Sequence, residues 1–199
     1  MLFSAVIMTS ILICRYTPEQ LKSRVPEGEH FVISPADGEI LRIDHNISKG
    51  HIPFIREGNK KVALSELKGL IEEGSQLVVI FMKPIDKHIT LSPIAGEITK
   101  ISYVPGNFRN LYRKHAYMEN EHNTMVIDGD IKVAVTQIAG YVYRRILCNV
   151  EIGDEVEKGD KLGRIMFGSA IAVILPKECS LCIEQGDKVK VGETVIAVY

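Results

Sequence analysis

The sequence has almost no net charge: 24 Lys and Arg stand against 25 Asp and Glu, for a formal −1. That balance supplies no electrostatic footprint for nucleic acid. Cysteine is scarce as well. Cys14, Cys148, Cys179 and Cys182 are the only four in 199 residues. They are too sparse for a disulfide-stapled scaffold, and a reducing compartment fits best. Cys179-Ser-Leu-Cys182 is a lone C-x-x-C with no second pair and no histidine at ligand spacing. A structural place in a strand is favoured over a metal or redox site, and no metal is expected. Long apolar runs are missing too. Met1 to Cys14 is apolar but falls short of the roughly 20 residues that cross a bilayer. No basic stretch precedes it, as one would in a secretory signal. The run is then a membrane-dipping anchor, the end of a longer span, or a buried segment. Arg15, Lys22 and Arg24 follow it, which suits an anchor whose body faces the cytoplasm.

What is present reads as a globular, mainly β chain. With 46% hydrophobic and 25% charged residues, a single domain of this length can bury a real core. From Phe31 onward, short β-prone runs alternate with turns. Phe31–Ile33 and Glu39–Ile43 flank Asp37-Gly38, a strong hairpin signal. Leu77–Met82 is a strand, and Lys83 to Pro93 holds two prolines that limit regular pairing. Ile94–Val104 resumes as strand, with Gly96 at a bulge or turn. Thr124–Ile127 and Ile131–Ile138 form a hairpin about Asp128-Gly129. The alternation of the second arm predicts a half-buried strand. Gly140–Leu147 adds another strand. Helix is confined to a short N-terminal piece and the stretch from Val62 to Glu72. The longest irregular polar stretch, Pro105 to Asn123, holds Arg109, Arg113, His115 and His122. Loops of that length often cover or bind something.

The last fifty residues repeat themselves. Gly153-Asp-Glu-Val-Glu-Lys-Gly159-Asp recurs 33 residues later as Gly186-Asp-Lys-Val-Lys-Val-Gly192-Glu. Each copy is a polar turn feeding an apolar strand, and two such units can fold face to face as a small sandwich. No third copy exists to make a solenoid. The pattern resembles the barrel-sandwich of biotinyl and lipoyl carrier domains, whose central turn presents a lysine. The turn here, Phe167-Gly168-Ser169-Ala170, has no lysine, so a carrier would lack its acceptor. Ser169 takes that place instead. It is a hydroxyl nucleophile beside a permissive glycine, between the apolar runs Ile165–Phe167 and Ile171–Leu175. A simple turn is the competing reading.

Several motifs in order resemble the phosphatidylserine decarboxylase family in its short form. Ser34-Pro-Ala-Asp-Gly38 matches the family's S-P-x-D-G. Pro84-Ile-Asp86-Lys-His88, followed by Pro93-Ile-Ala-Gly96, matches its aspartate/histidine segment. Glu119-Asn-Glu121 matches its E-N-E element, and Lys158 to Ser169 the approach to its self-cleavage site. Two positions depart: a second histidine of longer members is Leu91 here, and Ala170 follows the serine. The resemblance implies a small β-barrel or sandwich with a C-terminal lipoyl-like pseudo-repeat. It implies a membrane-associating segment at 1–30 and one catalytic domain at 31–199, self-cleaved between Gly168 and Ser169. The pieces 1–168 and 169–199 would stay together, in a homo-oligomer (a dimer).

The chemistry explains the residue types. Decarboxylating an amino acid needs an electron sink that side chains do not offer, and the family builds a pyruvoyl group. By the resemblance, Ser169 attacks the Gly168 carbonyl, and ester formation, elimination and hydrolysis leave a ketone that condenses with the substrate amine. A serine needs a base nearby. His88 is the expected general base and acid, and Asp37 its orienting carboxylate, by serine-triad logic. Asp86 has a supporting role, on the face of His88 if the stretch is a strand. Arg109, Arg113 and His115 are candidates for the phospholipid headgroup. The implied enzyme converts a serine-headed phospholipid to its ethanolamine counterpart at the cytoplasmic side of the cell membrane. It would be peripheral or N-terminally anchored there. The rivals are a relative acting on a non-phospholipid amine and a non-catalytic lipoyl-like binding module.

Overall fold

Antiparallel β structure makes up the computed structural model, which describes residues 24–47, 72–105, 121–139, 146–165 and 169–199. The expected N-terminal helix and nearly all of the Val62–Glu72 stretch lie outside the described residues. In chain order the strands are β1 (Phe31–Ile33), β2 (Gly38–Ile47), β3 (Ser75–Phe81), β4 (Ile89–Leu91) and β5 (Gly96–Val104). Then come β6 (His122–Asp128), β7 (Lys132–Ile138), β8 (Ile146–Cys148), β9 (Glu155–Val156) and β10 (Lys161–Ile165). The last are β11 (Ala170–Leu175), β12 (Ser180–Leu181), β13 (Lys188–Val189) and β14 (Val195–Val198).

Eight strands form one curled sheet in the order β13-β2-β3-β11-β7-β6-β5-β9, a half-barrel. Two three-stranded sheets, β1-β14-β12 and β4-β10-β8, accompany it. That order is a palindrome about the β11–β7 pair, and the small sheets match strand for strand. One seven-stranded unit (β4 to β10) is therefore nested inside a second (β1 to β3, then β11 to β14).

The sequence spells the symmetry in a pair of motifs, Ser34-Pro-Ala-Asp-Gly-Glu-Ile40 and Ser92-Pro-Ile-Ala-Gly-Glu-Ile98. Ser34 and Ser92 each donate a side-chain hydrogen bond two residues on, to Ala36 O and Ile94 O. Gly38 and Gly96 adopt φ of +154° and +151°, a region that side chains resist. A Cβ there would meet Phe81 O at 2.3 Å and Asp128 O at 2.6 Å. Each motif receives one copy of the C-terminal repeat: Gly192 N–H bonds Ser34 O, and Gly159 N–H bonds Ser92 O, both at 2.9 Å. The units then cross-bond, Ile33 N–H to Pro93 O and Leu91 N–H to Pro35 O.

Two sequence-based expectations change here. Asp37-Gly38 does not close a hairpin: β1 pairs with β14 and β2 with β3 and β13. The turn hands the chain from one sheet to another. Nor do the two Gly-Asp copies build a separate module, because β9 pairs with β5 and β13 with β2, one per unit.

Ile80, Ile171, Val173, Val78, Val135, Val133, Met125 and Ile127 form one apolar cluster inside the sheet. Each such side chain stabilises by about 1.5–3 kcal/mol. The opposite face of β6 and β7 is buried too, so the expected half-buried strand is buried from Val133 to Ile138. Thr124 and Thr136 tolerate this because their hydroxyls bond each other at 2.9 Å.

Candidate active site

The chain passes between the two units twice, from β3 to β4 and from β10 to β11. Ser169, His88 and Asp86 sit on these two passages, and backbone hydrogen bonds tie the passages together.

Ser169 ends the second passage and is wholly buried. Its carbonyl accepts the Met82 N–H at 2.9 Å, and its Oγ lies 4.0 Å from Met82 Sδ. The next residue, Ala170, is locked between Phe81 and Ile138. Gly168 lies outside the described residues.

His88 ends the first passage and is buried. Its carbonyl accepts the Ile165 N–H at 3.1 Å. The connection from Met82 to His88 thus holds the chain on both sides of residues 166–168, at Ile165 and at Ser169. The ring Nδ1 stands 2.6 Å from Asp86 O. A carbonyl only accepts, so Nδ1 carries the hydrogen, and the lone pair of the neutral ring is on Nε2. Burial lowers the His88 pKa from 6.5, opposed by that hydrogen bond and by the charges of Asp86 and Asp37. The neutral, proton-accepting form is thereby favoured.

Asp37 reaches the same connection. Its carboxylate accepts the Val191 N–H at 2.7 Å and the Lys87 N–H at 3.2 Å. Burial raises its pKa while these two bonds pull it down. Ala95 holds the corresponding place in the other unit, and the turn forms there without a carboxylate. The turn does not need Asp37; the Lys87–His88 segment uses it. Asp37 bears on His88 through this backbone bond and through its charge.

Asp86 differs from expectation. It lies in a turn rather than a strand, where its carboxylate accepts the Lys83 N–H at 2.6 Å and its own N–H bonds Lys83 O. Its main-chain carbonyl accepts the hydrogen of His88 Nδ1, and its charge also raises the His88 pKa. Leu91 is core, opposite Lys161, so no second acid occupies that position. Arg109, Arg113 and His115 lie outside the described residues.

The sequence reading missed a buried polar row at this end of the sheet. Gln137 Nε2 donates to Thr90 Oγ1 at 3.0 Å, and Asn123 lies 3.4 Å from Gln137 Oε1. Glu121 is buried nearby, its carbonyl accepting the Ala139 N–H. The available signal was Gln137 itself, a polar residue in step with Val133 and Val135. Gly163 makes room for it, since a Cβ there would stand 2.1 Å from Leu147 O and 2.9 Å from Gln137 Nε2.

Among the described residues, no group of three or more His, Cys, Asp or Glu could hold a metal ion. Cys179 is buried, its thiol pushed up to about 11, while Cys182 is exposed. Among the same residues no helix is long and apolar enough to cross a membrane.

Comparison with known proteins places the chain among relatives. The family model described as phosphatidylserine decarboxylase matches residues 12–197. A phosphatidylserine decarboxylase proenzyme of Syntrophus aciditrophicus (strain SB) is 35% identical, over 87% of this chain and 74% of that protein. A Methanocaldococcus jannaschii protein, provisionally named archaetidylserine decarboxylase proenzyme, is 31% identical over 98% of this chain and 94% of its own length. A Methanothermobacter thermautotrophicus protein with the same provisional name is 36% identical over 87% of this chain and 75% of its own. With a buried serine and histidine held on one connection, and matches along nearly the whole chain, this protein belongs to the phosphatidylserine decarboxylase family.

Proposed function

We infer that the chain is a self-processing decarboxylase that removes CO2 from a serine-headed phospholipid and leaves the ethanolamine-headed lipid. The observation that carries this reading is the double grip of the Met82–His88 connection on Ile165 and Ser169. It holds the 166–168 stretch at both ends, as a backbone about to be broken at one bond must be held. Ser169 Oγ attacks the Gly168 carbonyl and passes its proton to His88 Nε2. Ester formation and elimination then free residue 169 as a new chain start. Asp37 fixes the segment that carries His88 and holds negative charge near the imidazolium.

The position fits the serine-derived pyruvoyl group of the family. Residue 169 is sealed from water, and the Met82 N–H fixes its main-chain oxygen. That group supplies the electron sink for loss of CO2. His88 then returns a proton from Nε2, and Asp86 O keeps the ring in the orientation to do so.

The two products of cleavage remain one body, because residues 169–199 supply β11 to β14. β11 bonds both β3 and β7, β14 bonds β1, and β13 bonds β2. Residues 1–30 serve membrane association at the cytoplasmic side, and 31–199 form the catalytic domain. Arg109, Arg113 and His115 are assigned to the headgroup. Relatives named for acyl-type and archaeal lipids are both similar, so the test offers both. Purified protein is incubated with diacyl serine lipid, isoprenoid-ether serine lipid and free serine. The expected result is CO2 and ethanolamine-headed product from a lipid and none from free serine. Turnover of free serine or another soluble amine, with none of either lipid, would favour a non-phospholipid relative.

A further inference from the structure

Ile85 is 79% exposed, the most open of the large hydrophobic residues among those described, and Pro84 beside it is exposed as well. A single apolar side chain on a surface is ordinary. Its position here is not. Ile85 caps the turn closed by the Lys83 and Asp86 hydrogen bonds, midway along the connection whose ends are Met82 and His88. It is three positions from each, a chain length of about 11 Å at most. The tip therefore lies within about 11 Å of Met82, which holds Ser169.

Beside the tip lies a cleft of about 300 Å³, walled by Asp37–Glu39, the Lys83–Asp86 turn and Lys188–Lys190. Its carboxylates are engaged: Asp37 on two backbone N–H groups, Asp86 on the Lys83 N–H, and Glu39 on Lys83 Nζ at 2.9 Å. Lys188 and Lys190 are exposed on the rim. The surface is an apolar point with Lys188 and Lys190 on one side, while Lys83 is paired with Glu39.

We propose that the Lys83–Lys87 turn docks the enzyme on an anionic lipid bilayer. Ile85 enters the acyl boundary, while Lys188 and Lys190 meet phosphates. The inference rests on the phospholipid reading above. A lipid with two long tails leaves the bilayer only at great cost, so residue 169 has to approach the bilayer surface. Anionic lipid complements the lysine rim, and attraction to it is short-ranged and weakened by salt.

The chain contains no tryptophan, so Ile85→Trp in the full protein places the only one at the tip. Vesicles of phosphatidylglycerol mixed with phosphatidylcholine, free of substrate, should shift its emission to the blue. Pure phosphatidylcholine or high salt should abolish the shift. Ile85→Asp and the double variant Lys188→Glu/Lys190→Glu should each weaken vesicle binding about tenfold. Ile85→Asp should leave melting temperature, self-cleavage and turnover of a dispersed short-chain serine lipid as in the wild type, and raise only the KM for vesicle substrate. An unshifted emission, or full binding by Ile85→Asp, overturns the docking proposal even where lipid is decarboxylated. Vesicle binding by a protein that decarboxylates no serine lipid would instead remove the functional reading beneath it.

Discussion

Replacing Asp37 with Ala separates what this carboxylate does for the fold from what it does for the chemistry. The change removes the acceptor for Val191 N–H at 2.7 Å and for Lys87 N–H at 3.2 Å. Hydrogen bonds to a charged group contribute roughly 1.5–3 kcal/mol each. The buried carboxylate is itself held at a cost, as its raised pKa shows, so the net loss should be about 2 kcal/mol. For a chain of this size that corresponds to roughly 4–8 °C in Tm. Self-cleavage should suffer more. With Lys87 released and the charge gone, base assistance from His88 should fall by about 10²–10⁴-fold. Asp37→Asn keeps one acceptor and no charge. It should regain about half of the lost Tm and still cleave slowly. The assay is a time course of precursor and products from freshly synthesised protein, beside thermal melts of the same samples. Wild-type cleavage by Asp37→Ala would refute the catalytic half of the argument, and an unchanged Tm the structural half.

Three other outcomes follow. Burial holds the His88 pKa below 6.5, so the self-cleavage rate should be flat above that pH and fall only below it. An apparent pKa above 6.5 would contradict this. The same shift makes the unfolded chain bind more protons between the folded value and 6.5. His88 should therefore make stability rise with pH across that window and level off above it, a slope that His88→Gln should reduce. Gly163→Ala would set a Cβ 2.1 Å from Leu147 O, a backbone atom that cannot step aside. It should cost about 3 kcal/mol by urea denaturation, at the upper end of overpacking effects. A loss of under roughly 1 kcal/mol would show that β8 and β10 separate easily.

Much of the strand content was readable because burial leaves a local trace. The apolar run at Leu77–Met82 and the Asp128-Gly129 turn fall where β3, β6 and β7 are found. Apart from the β6–β7 hairpin, strand partners left no such trace. Asp37-Gly38 reads as a hairpin, yet Phe31 pairs with Val198 at the far end of the chain. A turn dictates a local reversal, while long-range hydrogen bonds decide which strand receives it. The Gly-Asp repeat was visible, but its meaning depended on pairing it with the two Ser-Pro motifs, whose likeness went unread. For the site, the ordered motifs that resemble the family pointed to Ser169, His88 and Asp37, where residue types alone favoured a turn and structural places. The contact of Asp86 with His88 was hidden, because it is made by a main-chain carbonyl that any residue would supply. Gln137 was hidden for a related reason: its partner Thr90 lies on a distant strand.

The central claim is that Ser169 breaks its own backbone. The most direct measurement is the intact mass of the purified full chain beside its Ser169→Ala variant. Two pieces divided after Gly168, the smaller beginning at residue 169 and lacking a serine there, are expected for the wild type, and one unbroken chain for the variant. A wild-type protein that stays whole while forming ethanolamine-headed lipid would contradict the account.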